Sequence, residues 1–281
     1  MKTLLLALLC AATASATEVS YHLGLQLYSL RVLAKQSGWA AELDKARDLG
    51  FTAVEGGFVP KGMAYDQYLA ELSKRGLTMP SMGFDYDRLG KDIAGCVAEA
   101  KALGVQYVMV AWIPHSDDLG FTREEAVKAA ADFNAWGEAF AAEGITFTYH
   151  AHGYEFRPLP DGTNLFDLIV KSTDFKKVSF EMDVFWITHG GQDPVKLLAK
   201  YPDRWALMHV KDIRKGAATG LYTGHAPSTD DVAVGSGQVD WPAVFREAKS
   251  VGVHYYFIED ESDTPDVNIP KSVAYVKSLG L

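Results

Sequence analysis

Cysteine is nearly absent: the 281 residues hold only Cys10 and Cys96. A disulfide framework is therefore excluded as the source of stability. Basic runs are missing as well, since the 27 lysines and arginines are scattered and outnumbered by 36 acidic residues, for a net charge of −9. That balance argues against a nucleic-acid or anionic-membrane partner. No apolar run approaches the roughly 20 residues that cross a bilayer. There is also no glycine-rich phosphate loop after the first apolar segment, where the chain reads Tyr28-Ser-Leu-Arg31, and this speaks against a doubly wound dinucleotide fold.

The composition that is present suits one large core, because 48% of the residues are hydrophobic and the length falls in the single-domain range of α/β barrels. Residues 1–16 stand apart. Lys2, the run Leu4 to Leu9 and the series ending Ala14-Ser15-Ala16 follow the order of a cleaved secretory signal. The expectation is a mature domain of residues 17–281, periplasmic or secreted, with no membrane attachment after cleavage and with Cys96 as its one thiol. Homo-oligomerisation is left open.

From Leu23 onward, short apolar runs alternate with segments of helical spacing. The strands are expected at 23–30, 52–56, 78–84, 106–112, 146–152, 178–186, 205–212 and 255–260. Helices are expected at 38–49, 65–75, 92–103, 122–143, 165–171, 193–200, 241–250 and 270–279. Gly50, Gly76, Gly104, Gly144 and Gly252 stop helices just before strands, as left-handed caps do. Eight strand and helix pairs predict a closed (β/α)8 TIM barrel, with an open doubly wound sheet as the alternative. The stretch from Ile213 to Val239 has no apolar period and reads as a lid or substrate loop.

Chemistry-bearing residues gather where the last four strands end. Alternate strand residues share a face, which pairs His150 with His152, Glu181 with Asp183, and His209 with Lys211. Glu259 closes the eighth run. Imidazoles and carboxylates from neighbouring strand ends suit one divalent cation such as Mn²⁺, Co²⁺, Zn²⁺ or Mg²⁺. The candidate ligands are His150, Asp183, His209 and Glu259, with Glu155 competing with His150 for a place. His152 is the first choice of base, and Glu259 and Lys211 are the other catalytic candidates. Glu181 reads either as a ligand or as a buried partner of Lys211, and Asp212 as a capping or orienting residue. Glu55, Trp112, Glu155, Trp186 and Lys211 are the candidate substrate contacts, and Tyr28 a further aromatic wall. His115 and His189 stay unassigned.

The order of Tyr149-His-Ala-His-Gly-Tyr-Glu-Phe156, Phe180-Glu-Met-Asp-Val-Phe-Trp186, His209-Val-Lys-Asp212, Gly235-Ser-Gly-Gln-Val-Asp-Trp241 and Ile258-Glu-Asp260 resembles the xylose isomerase-like barrel superfamily of sugar phosphate isomerases and epimerases. The resemblance implies a metal set of Glu, Asp, His and Glu from strands five to eight. Asp183, His209 and Glu259 match its last three members, whereas His150 stands where the family has glutamate. Related dehydratases and lyases of 3-keto sugars look similar in placing a histidine at the position of His152.

The resulting expectation is a metal-dependent isomerase or epimerase that abstracts a proton next to the carbonyl of an unphosphorylated sugar or glycoside. A 3-keto-glycoside lyase or sugar dehydratase on the same barrel is the first alternative, and a non-catalytic sugar-binding protein the second.

Overall fold

A computed structural model describes residues 22–116 and 120–280; the expected export signal lies outside them. Ten strands run in chain order: β1 His22–Gln26, β2 Ala53–Gly56, β3 Thr78–Gly83, β4 Tyr107–Val110, β5 Thr146–His150, β6 Val178–Asp183, β7 Trp205–Val210, β8 Asp212–Ile213, β9 Asp231–Val232 and β10 Tyr255–Ile258. Eight of them close a parallel barrel in the order β1-β10-β7-β6-β5-β4-β3-β2, and β8 and β9 form a separate antiparallel ribbon. Helices follow the barrel strands, so the chain is a single (β/α)8 barrel.

The five helix-stop glycines all have positive φ, between 65° and 85°, which only glycine adopts without cost. Alternation along β5 divides its side chains between two layers. Phe147 and Tyr149 face the surrounding helices, with ring centroids 5.4 and 4.8 Å from Phe133 of the helix Arg123–Ala141. Thr148 and His150 therefore face the barrel interior.

Most barrel strands stop a residue or two short of the expected ends, and two stop earlier still, at Gln26 and Asp183, where a side chain captures the backbone. The Gln26 side chain accepts from the Tyr28 N–H at 3.1 Å, which turns the chain into a 3₁₀ segment at Leu27–Leu30 and then a helix at Arg31–Ser37. Tyr28 thereby leaves the strand face and is 53% exposed. Likewise, Asp183 Oδ1 accepts from the Trp186 N–H at 2.9 Å and caps the helix Val184–His189. A helix at Tyr86–Lys91 lies where no helix was expected, and the last helix begins at Pro265.

The segment from Ile213 to Val239 is anchored. Its β8–β9 ribbon is reinforced by Arg214, whose guanidinium donates to Asp230 Oδ1 at 2.6 and 3.0 Å. Asp212 accepts from the N–H groups of Gly235 and Gly237 at 2.9 and 3.1 Å and from Trp241 Nε1 at 2.9 Å. Asp212 is thus the peg of this segment and touches neither metal-type ligands nor the cavities beside them.

Candidate metal centre and active site

Strand register assembles the site. Asp183 lies directly beside His209, His150 beside Glu181, and Gln26 beside Glu55. All of these side chains are buried, and they meet at the end of the barrel where the strands finish.

His209 sits at the centre with a carboxylate pair on each ring nitrogen. Its Nδ1 lies 3.1 Å from Glu259 Oε2 and 3.7 Å from Asp183 Oδ2. Its Nε2 lies 2.7 Å from Glu55 Oε1 and 3.3 Å from Glu181 Oε1. His150 repeats the arrangement, with Nδ1 3.1 Å from Glu181 Oε2 and Nε2 3.6 Å from Asp183 Oδ2. Two groups of three among the described residues hold donor atoms close enough to share one ion: Asp183, His209 and Glu259, and His150, Glu181 and His209.

Both groups hold orphaned atoms: His150 Nε2, Glu181 Oε1 and Asp183 Oδ2 are buried and lack any hydrogen-bond partner, an arrangement costly unless a cation meets them. With Glu181 beside His150 Nδ1 and Glu55 beside His209 Nε2 to hold the ring protons, a bound ion would meet the other nitrogen of each ring on the Asp183 side, displacing the second proton that the carboxylates otherwise hold on His209. Outer carboxylates that fix the tautomer of ligating histidines are a common support of metal sites. Asp183, His209 and Glu259 therefore fit one divalent ion, with His150 Nε2 facing Asp183 Oδ2 from 3.6 Å.

Charge shapes the cluster further. Burial raises the carboxyls of Glu181 and Asp183, and for Glu181 the facing Glu55 raises it again. Burial also works against ionised His209, Lys211 and Glu259, but their mutual attraction outweighs it. His209 is held well above its ordinary value by Glu181 and Glu259, Lys211 by Glu259 and Glu261, and Glu259 is held well below by Lys211 and His209.

His152 stands at the edge of this cluster, its ring 4.7 Å from that of His150, 5.2 Å from Trp186 and 5.7 Å from Trp112. Burial, aided by the nearby Lys211 cation, pulls its pKa down to about 3, so the imidazole is neutral and able to accept a proton. It borders a cavity of about 830 Å³ together with His150, His209 and Glu259, and a second of about 390 Å³ together with Lys211, Trp186 and residues 224–228 of the anchored segment. Trp112 lines both.

Three expected roles are corrected by position. Glu155 follows the outward side of β5: it accepts from Tyr149 Oη and, at 3.0 Å, from the His152 N–H. Burial lifts it to about 7, and it belongs to neither ligand group nor to either cavity. Glu55 is fully buried against His209, Ser81 and Gln26, the last at 2.6 Å, so it faces an imidazole and lines neither cavity. Glu181 serves the two histidines, whereas Lys211 pairs with Glu259 at 3.3 Å, with Glu261, and lies 4.0 Å from Asp231. Glu261 follows Glu259 at the spacing used for the other pairs, which could have exposed it. Asp231 had no local signal, being brought in by the β8–β9 ribbon.

A closed barrel that gathers imidazoles and carboxylates at its strand ends as a candidate metal centre, beside a neutral histidine and an open cleft, has the build of a carbohydrate-related enzyme barrel. The chain belongs to the xylose isomerase-like TIM barrel family, whose sequence profile matches residues 43–279.

Among curated proteins it is similar to the inosose dehydratase of Geobacillus thermodenitrificans, at 26% identity over 157 residues, 53% of this chain and 51% of that protein. The match thus spans about half of that relative. It is also similar to the inosose dehydratase of Mesomycoplasma hyopneumoniae, at 27% identity over 240 residues, 75% of this chain and 79% of that protein. Among solved structures, a sugar phosphate isomerase/epimerase from Parabacteroides distasonis is 27% identical and superposes with a TM-score of 0.74, covering 95% of this chain and 96% of that one. The expectation of an isomerase or epimerase is overturned by these curated relatives, whose named reaction is the removal of water.

Proposed function

We propose that the protein is a divalent-metal-dependent dehydratase, a lyase that removes water from a neutral keto polyol or keto sugar, and that it works after export. The observation that carries this reading is the neutral His152 beside the buried imidazole and carboxylate cluster of His150, Asp183, His209 and Glu259. The dehydratase relatives support it.

His150, Asp183, His209 and Glu259 would hold the ion. When bound, it would supply Lewis-acid polarisation of the keto oxygen. Glu181 and Glu55 keep His150 and His209 in the tautomers that leave the ligating nitrogens bare. His152 takes the proton from the carbon next to the carbonyl. The C–H electron pair becomes the new C=C bond, the C–O bond one carbon further on breaks, and the proton held by His152 leaves with the departing hydroxide as water. No redox partner is required. Lys211, kept as an ammonium by Glu259 and Glu261, orients a substrate oxygen by donating to it. Trp112 and Trp186 wall the ring of His152 and limit water around it.

The test is incubation of the metal-loaded protein with keto-cyclitols and 3-keto sugars, following enone absorbance and the loss of one water by mass spectrometry. Formation of the unsaturated ketone supports the reading. Solvent deuterium entering recovered substrate with no elimination would overturn it.

A further inference from the structure

The larger cavity extends well beyond the donor cluster, along the flank built by β1, β2 and β3. A single six-membered keto ring has about twelve non-hydrogen atoms, and pockets of roughly 300–1,000 Å³ serve ligands two or three times that size. At about 830 Å³, the cavity has room for one ring over the cluster and another beside it.

The side chains of that flank differ from those of the cluster. Trp39 meets Tyr68 edge-on at 6.3 Å, and Phe58 stands 70% exposed at the rim; Tyr86 lines the same wall. Among the described residues, no cation and no hydrogen-bond donor meets the carboxyl of Glu42, which lines the cavity between them. An acceptor half-removed from water with no partner is costly, and a ligand hydroxyl would satisfy it.

Charge narrows the ligand. Asp85, Asp87, Glu259 and Glu261, together with the carboxyl of Glu42, line the cavity against the guanidinium of Arg31 and the His209 ring held among its carboxylate partners. Arg31 is already engaged, donating to the carbonyls of Tyr28 and Glu261 at 3.1 Å each and lying 4.6 Å over the Tyr28 ring. A phosphate on the second moiety would therefore face a lining in which acidic side chains outnumber an already engaged guanidinium.

Building on the dehydratase reading, we infer that this flank is a second ring subsite, in which Trp39 and Phe58 cover the apolar face of a neutral sugar ring and Glu42 accepts from one of its hydroxyls. The substrate class is then a keto ring carrying a second, unphosphorylated sugar in glycosidic linkage. Phe58 sits in an exposed loop, so its replacement leaves the core intact.

The test compares Phe58→Ala and Glu42→Gln with the parent protein on two substrates, a one-ring keto-cyclitol, which loses water, and a 3-keto-disaccharide, in which the same elimination takes the C2 proton, forms the C1=C2 bond and breaks the C1–O bond so that the second sugar leaves with that proton in place of water; calorimetric binding of the unoxidised parent disaccharide, which cannot react, is measured alongside. The expected result is that both variants lose at least about tenfold more kcat/KM on the two-ring substrate than on the one-ring substrate, with a parallel loss of disaccharide affinity. Equal losses on both substrates, or disaccharide binding unchanged in both variants, would overturn the subsite. Phe58-dependent disaccharide binding with no elimination from either substrate would uphold the subsite and sink the dehydratase reading.

Discussion

His150 Nε2 lies 3.6 Å from Asp183 Oδ2, and neither atom has a hydrogen-bond partner. Two buried atoms that both accept and do not donate, held face to face, are a liability in a folded protein. A cation between them, shared with His209 and Glu259, would convert that liability into binding energy.

Metal content follows directly. Purified protein is expected to carry about one ion, and Asp183→Asn and Glu259→Gln to retain little of it after dialysis. Removing the ion with a chelator should lower Tm by roughly 5–10 °C, since a ligand at a hundred times its dissociation constant adds about 2.7 kcal/mol. Elemental analysis and calorimetry check both points. Full occupancy in both variants would count against the ligand set.

His152→Gln keeps the size and polarity of the side chain while removing its basic nitrogen. Turnover should fall roughly 10²–10⁴-fold, with metal content unchanged because the ligands are other residues. A fully active variant would move the proton-transfer role elsewhere in the cleft.

Glu42 gives a pH signature remote from the metal cluster. Burial raises its carboxyl from the ordinary 4.5 to about 7, so the folded state holds a proton that the unfolded chain releases. Its contribution is harmless below the unfolded value, becomes destabilising as pH rises through that window, and is fully unfavourable above it. Glu42→Gln is therefore expected to raise Tm more at about pH 8 than at about pH 5. An equal gain at both, measured by calorimetry, would show that the carboxyl is solvated.

Asp212 ties the segment after β8 to the barrel through Gly235, Gly237 and the Trp241 indole. Asp212→Ala should cost about 3 kcal/mol and open residues 213–239 to limited proteolysis. Gly237→Ala should act alike, since a Cβ there collides with the Asp212 carboxylate and the Ile213 carbonyl. If both variants resist protease like the parent, the segment is held by its ribbon alone.

The eight strand and helix units, the glycine stops and the clustering of ligand-type residues at strand ends were all readable in the linear order, because periodicity and C-cap chemistry are local properties. Alternation was enough to pair His150 with His152 and His209 with Lys211. It failed where a side chain redirects the backbone: Gln26 ends β1 and Asp183 ends β6, so Tyr28 and Trp186 leave the strands they were assigned to.

Which carboxylate meets which histidine was decided by tertiary structure alone. Barrel closure places Glu55 of β2 against His209 of β7, 154 residues away, and turns Glu155 toward Tyr149 on the helix side of β5. The β8–β9 ribbon brings Asp231 near Lys211. The physical reason is that side-chain face is a property of one strand, whereas shear and closure, which set the neighbours across the barrel, belong to all eight together.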